Sequence, residues 1–128
     1  MSLQESGEMY LETILLLSKQ KNLVRAIDVA EEMGFSKPSV SRALTRLRDE
    51  NLILTTRDGY IAFTEAGRVI AEKVYRKHQL LTQFIMRLGV DAKTAEQDAC
   101  RIEHVISDET FDAMVRHAEK HPGDYTGT

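Results

Sequence analysis

Cys100, Glu103 and His104 stand three and four residues apart, a spacing that puts all three on one face of a helix, with Glu96 one turn earlier. The segment Cys100-Arg101-Ile102-Glu103-His104 reads as the middle of such a helix. A thiol, a carboxylate and an imidazole on one face can hold a divalent transition metal. The same residues also suit an ordinary helix, with Cys100 filling a small core site, His104 satisfied by hydrogen bonds and Glu103 in solvent. Taken by itself the pentapeptide fits that plainer role better, because it matches no recurrent metal or catalytic motif. Met9 and Glu12 are also three residues apart and share a helix face, with core filling and solvation as their plainer roles.

The elements that must position these residues come in a recognisable order. Met9, Leu11, Ile14, Leu15 and Leu17 mark a largely buried helix from Glu8 to about Lys19, ended by the polar loop Gln20-Lys21-Asn22. A second helix runs from about Ala26 to Met33, with Ile27, Ala30 and Met33 inward and Gly34 as its stop. Ser36 is a good N-cap and Pro38 is tolerated in a first turn, so a third helix extends from Lys37 to about Glu50. Two helices joined by a tight glycine-containing turn form a helix-turn-helix.

In the third helix Val40, Leu44 and Leu47 face the core. Ser39, Arg42 and Arg46 fall in a narrow wedge on the other side, with Lys37 near the start. Hydroxyls and guanidiniums there can reach base edges or phosphates in a major groove, the alternative being an ordinary solvated basic face. Two β-prone runs, Leu52 to Arg57 and Tyr60 to Phe63, flank Asp58-Gly59 and form a hairpin. A helix-turn-helix followed by a hairpin is a winged helix, and Arg57 near the hairpin tip would lie beside a DNA backbone.

Thr64 caps a long helix from about Glu65 to Leu88, whose later apolar residues Leu80, Leu81, Phe84, Ile85 and Leu88 extend past the winged-helix portion. Gly89 stops it, Asp91 caps the helix that carries Cys100 to His104, and Ser107 caps a last one. The last helix has Phe111, Met114, Val115 and Ala118 as its buried stripe and ends at Pro122-Gly123, before a loose tail. Three helices with this much apolar surface in so short a chain call for a homodimer. The fold expected is therefore mostly α: a winged helix-turn-helix DNA-binding domain over residues 1–63 and a helical metal-binding and dimerisation domain over residues 64–128.

Composition agrees with that division. The chain of 128 residues has a net charge of −3, which by itself argues weakly against a nucleic-acid binder. Residues 19–77, however, hold twelve Lys or Arg against eight acids, whereas residues 78–128 hold five against nine. A basic middle between acidic ends suits a segment that faces phosphate and ends that meet a cation or each other. The single cysteine forbids an intramolecular disulfide and fits a reducing compartment. With no apolar run longer than Ile14 to Leu17 and a polar N-terminus, a soluble cytoplasmic protein with no membrane partner is expected.

Four segments together resemble the diphtheria toxin repressor and manganese transport regulator group of bacterial metal-dependent repressors. They are Glu8-Met9-Tyr10-Leu11-Glu12-Thr13-Ile14, Ser36-Lys37-Pro38-Ser39-Val40-Ser41, Arg76-Lys77-His78-Gln79-Leu80 and Asp98 through Glu109, in the family's order across almost the whole chain. The resemblance implies metal sites between a winged-helix head and a helical dimerisation domain. By position, Met9, Cys100, Glu103 and His104 match ligands of the iron-responsive branch. His78 matches a ligand of both branches, and Glu12 a carboxylate ligand of the manganese branch. The implied set is thus a hybrid. Thr82 and Glu96 replace a carboxylate and a histidine of the iron branch, which argues against an ancillary site built in that branch's manner. The iron branch's SH3-like C-terminal domain is not expected, since the chain stops at Thr128.

The function expected is a metal-dependent repressor of metal-ion homeostasis genes, binding double-stranded operator DNA through Ser36, Lys37, Pro38, Ser39, Arg42, Arg46 and Arg57. Met9 and Cys100 are soft donors and favour iron(II) over manganese, with zinc, cobalt or nickel as substitutes in vitro. Two rivals stand beside it: a winged-helix regulator with a vestigial metal site or an organic effector, and a zinc enzyme using Cys100, Glu103 and His104. The enzyme reading lacks a His-Glu-x-x-His helix and a nucleophile constellation.

Overall fold

The computed structural model describes residues 3–121, so the end at Pro122-Gly123 and the tail fall outside the described residues. The elements in order are α1 (Leu3–Gln20), β1 (Val24–Arg25), α2 (Ala26–Met33), α3 (Lys37–Asp49), β2 (Ile53–Thr55), β3 (Tyr60–Phe63), α4 (Glu65–Arg87), α5 (Ala92–Ile102) and α6 (Asp108–Lys120). The chain divides into two compact units between Lys73 and Val74.

In the first unit α1 packs on α2 and α3. Tyr10, Leu11, Ile14, Leu15 and Leu17 bury one broad face of α1, and α3 contributes Val40, Leu44 and Leu47 at the expected spacing. α1 begins at Leu3, over a turn before the Glu8 start expected, because Leu3-Gln4-Glu5-Ser6 contains nothing that stops a helix. α2 has the expected bounds but a different inward face. Val29 is fully buried beside Ala30, while Ile27 is 39% exposed. In a helix of eight residues two apolar faces fit the pattern almost equally well, and the packing of α2 on α1 and α3 buries Val29.

The turn between α2 and α3 is built from local chemistry. Gly34 adopts a left-handed conformation (φ 69°), which a side chain would strain, and its N–H donates to Ala30 O at 2.9 Å. Ser36 caps α3 by accepting from Ser39 N–H at 3.3 Å, and Pro38 sits in the first turn. At the other end of the α1–α2 link, Lys21 Nζ and the Arg25 N–H each donate to the Asp28 carboxylate at 2.8 Å. Those two donors hold its pKa below the ordinary carboxylate value.

The hairpin is as expected, with Ile53 opposite Phe63 and Thr55 opposite Ile61. A third strand, β1, pairs antiparallel on the other side of β3, Val24 opposite Ile61 and Arg25 opposite Tyr60, giving the order β1-β3-β2. Its two residues show no alternation in sequence that could have revealed it. Thr64 caps α4 by accepting from Gly67 N–H at 3.0 Å, and its own hydroxyl donates to Asn51 O at 2.8 Å. Gly67 lets this first turn close on the link between α3 and β2: a Cβ there would collide with the Leu52 carbonyl.

In the second unit Leu81 of α4 and Ala95 and Ala99 of α5 are buried. α6 begins at Asp108 under the Ser107 cap, as expected. Its stripe differs from expectation: Phe111, Met114, Val115 and Ala118 are half-buried, and α6 has no fully buried residue. With Leu80, Leu81 and Phe84 of α4 they line an open apolar groove of about 340 Å³. Leu88, expected on the packed face of α4, is 71% exposed. Among the described residues no helix is long and apolar enough to cross a membrane.

Candidate metal centre and nucleic-acid face

The Cys100–His104 stretch is the C-terminal end of a helix and not its middle. α5 stops at Ile102, Glu103 is the C-cap with its N–H donating to Ala99 O at 2.9 Å, and His104 lies in the following turn. The side chain of Glu103 is wholly buried, where a solvated position was the plainer expectation. A carboxylate removed from water needs opposite charge or donors around it. Two imidazoles supply them. His78 Nδ1, from α4, lies 2.9 Å from Glu103 Oε2, the tautomer with a proton on Nδ1 donating to the carboxylate. His104 Nε2 lies 3.1 Å from Glu103 Oε1, close enough for an ion pair though not aligned as a hydrogen bond. His78 Nε2 is also 4.0 Å from the exposed Glu96.

Both contacts are of hydrogen-bond or ion-pair length. A buried carboxylate with an imidazole on each side is a donor set of the kind that holds a divalent metal, so the residues present fit one. The chemistry of the set is mixed, with nitrogen from two histidines and hard oxygen from one carboxylate. Cys100, in no disulfide, is half-buried on the last turn of α5. In the first unit Met9 is half-buried and Glu12 is buried, where solvation was its plainer role. Sequence spacing found Cys100, Glu103 and His104. Spacing alone carries no signal for His78, which reaches Glu103 from a different helix 25 residues earlier.

The second candidate surface lies on α3 and the hairpin. Ser39, Arg42 and Arg46 share the outward face of α3, with both arginines exposed. Arg42 donates to Ser39 Oγ at 3.4 Å, and the Ser36 hydroxyl donates to the same oxygen at 2.9 Å. Burial pushes the Tyr10 phenol above its ordinary pKa, while the nearby charges of Arg42 and Arg46 pull the other way. The positive potential of this face thus reaches into α1. Lys37 and Pro38 open α3 beside Ser36, and Arg57 is exposed in the turn of the hairpin. One connection was missed in the sequence: Arg48 donates to Thr55 Oγ1 at 2.8 Å and to Thr45 Oγ1 at 3.0 Å, tying α3 to β2. Arg25 stacks over the Tyr60 ring at 4.3 Å and braces the other edge of the sheet.

Comparison with known proteins identifies both parts of the chain. Residues 2–61 match the model of the iron-dependent repressor N-terminal DNA-binding domain, and residues 64–123 that of the iron-dependent repressor metal-binding and dimerisation domain. The chain is 33% identical over 115 residues to the diphtheria toxin repressor of Corynebacterium diphtheriae, covering 89% of this chain and 51% of that one. It is 33% identical over 112 residues to the transcriptional regulator MntR of Escherichia coli, covering 88% and 72%. The chain therefore spans about half the length of the first relative and more of the second. Among solved structures, that of the manganese regulator SloR aligns with a TM-score of 0.78 at 30% identity, over 88% of this chain and 53% of that one. That of the metal-dependent transcriptional regulator MtsR aligns with a TM-score of 0.81 at 26% identity, over 88% and 53%. Matched along nearly its whole length, the chain belongs to the iron-dependent repressor family of metal-dependent regulators.

Proposed function

We propose that the chain acts as a cytoplasmic, homodimeric repressor whose affinity for operator DNA is raised by a divalent transition metal, controlling genes of metal-ion homeostasis. The observation that carries this reading is Glu103, a wholly buried carboxylate bracketed by the imidazoles of His78 and His104, a donor set that suits a divalent ion. The division at about residue 64, a DNA-binding part before it and a metal-binding and dimerising part after it, follows the two family models.

His78, Glu103 and His104 hold the metal, and Met9, Glu12 and Cys100 complete its ligand set. Glu12 supports this: it is a second buried carboxylate among the described residues, and a bound cation would offset the cost of burying it. A bound ion supplies positive charge that neutralises these acids and fixes the direction of each ligand. Because a ligand shifts an equilibrium only through its differential affinity for two states, the set must close better in the arrangement that fits DNA. In a dimer that arrangement presents two α3 helices about 34 Å apart, one turn of the duplex. Ser36, Lys37, Pro38, Ser39, Arg42, Arg46 and Arg57 meet the operator, the arginines reading bases or phosphates.

Iron(II) is the favoured effector over manganese. Thioether and thiolate donors from Met9 and Cys100 suit the softer, later ion, with cobalt, zinc and nickel as substitutes in vitro. Glu12 and the manganese-named relatives favour a manganese response as the competing outcome. The deciding experiment is binding of the metal-free protein to an operator recovered by selection from random duplexes, titrated separately with manganese, iron(II), zinc and cobalt. Weak binding without metal, raised by iron(II) or cobalt at lower free concentration than by manganese, is the expected result. Full affinity without metal would instead make the ligands vestigial or the effector organic.

A further inference from the structure

Among the described residues, a pair of metal-ligating side chains is brought together outside the Glu103 cluster. His117, in the last turn of α6, and His121, its C-cap, are exposed and stand one helical turn apart. Their ring centroids are 4.6 Å apart with the planes tilted by 41°. An imidazole nitrogen binds an ion at about 2.0–2.1 Å, which places the ring centre about 3.2 Å from the ion. Two such rings at right angles about one ion are then about 4.5 Å apart. The observed 4.6 Å is close to that spacing.

Two further features favour a cation there. The pair sits at the C-terminal end of a 13-residue helix, where the backbone dipole presents its negative end. His117 also makes an edge-on contact with Phe84, centroids 6.4 Å apart, which holds one of the two rings in place before any ion arrives. From this geometry we infer that His117 and His121 form a second metal site, a surface chelate on the dimerisation unit. With two neutral nitrogens and no protein carboxylate in the pair, it takes copper(II), nickel(II) or zinc and discriminates against manganese. It differs from the Glu103 cluster in being open to water and in using no soft or anionic donor. The inference does not rest on the repressor reading.

The test uses the full chain with nickel(II) as the probe, counting bound equivalents by equilibrium dialysis in the wild type, His117→Ala, His121→Ala and His104→Ala. The wild type is expected to hold one equivalent more than either α6 variant, since one imidazole alone gives up chelation. That equivalent should survive His104→Ala. Hydrogen exchange supplies a second readout: nickel should slow the amides of Lys120 and His121 in the wild type and in neither α6 variant, with circular dichroism showing that each variant keeps its helices. Equal stoichiometry in the wild type and both α6 variants overturns the inference. So does loss of the extra equivalent in only one of them, or its disappearance with His104→Ala, which would return it to the Glu103 cluster.

Discussion

In the proposed ligand set, donor softness at positions 9 and 100 is what would decide which ion the protein answers to, because His78, Glu103 and His104 alone would accept any later divalent metal. Replacing Met9 with Asp and Cys100 with Glu exchanges two sulfur donors for oxygens while leaving the histidines in place. The double variant should narrow or reverse the advantage of iron(II) over manganese, read as the free metal concentration for half-maximal operator binding. If the unmutated protein already responds to manganese where iron(II) is inert, Glu12 outweighs the sulfur donors. Arg42 poses a comparable single-residue question on the DNA face. Arg42→Ala should weaken operator binding by about 1–3 kcal/mol and relax preference at one base position if the guanidinium reads a base. A uniform loss with a flatter salt dependence would instead make it a phosphate contact, and no loss would make the face merely solvated.

Between elements, the tightest approach is at the start of α4. Helix propensity by itself favours Ala over Gly at position 67 by about 1 kcal/mol. The Leu52 carbonyl stands where the new methyl would go, so the substitution forces two backbone segments apart. Gly67→Ala should therefore destabilise the protein by about 1–3 kcal/mol in urea unfolding, the sign set by sterics over propensity. An unchanged or raised midpoint would show that α4 can shift at no cost. Most element boundaries were legible because their signals are local. Ser36, Thr64, Asp91 and Ser107 cap the helices they were expected to cap, Gly34 stops α2, and Asp58-Gly59 turns the hairpin. What escaped were features fixed at a distance. β1 is defined by its partner β3, and the inward face of α2 by packing. α5 ends at Ile102 with no Gly or Pro in the sequence to announce it. For the site, residue types and spacing pointed to Cys100, Glu103 and His104, yet an acid on a helix reads as solvated unless the fold is known. Only the fold shows that Glu103 is buried and that His78 meets it.

At the scale of the whole molecule, the proposed dimerisation draws on the second unit. The apolar groove between α4 and α6 leaves Phe111, Met114, Val115 and Ala118 half-open, which a second copy would cover. The consequence is one of local cooperativity. A helix with no fully buried residue has little to lose by opening in an isolated subunit, so its amides exchange through a small, low-energy fluctuation and not through global unfolding. In a dimer that opening must first break the contact between copies, and by mass action its rate acquires a dependence on total protein. Amide exchange in α6 should slow as the protein is concentrated. If α6 exchanges at the same rate at every concentration, the groove is covered by something other than a second copy.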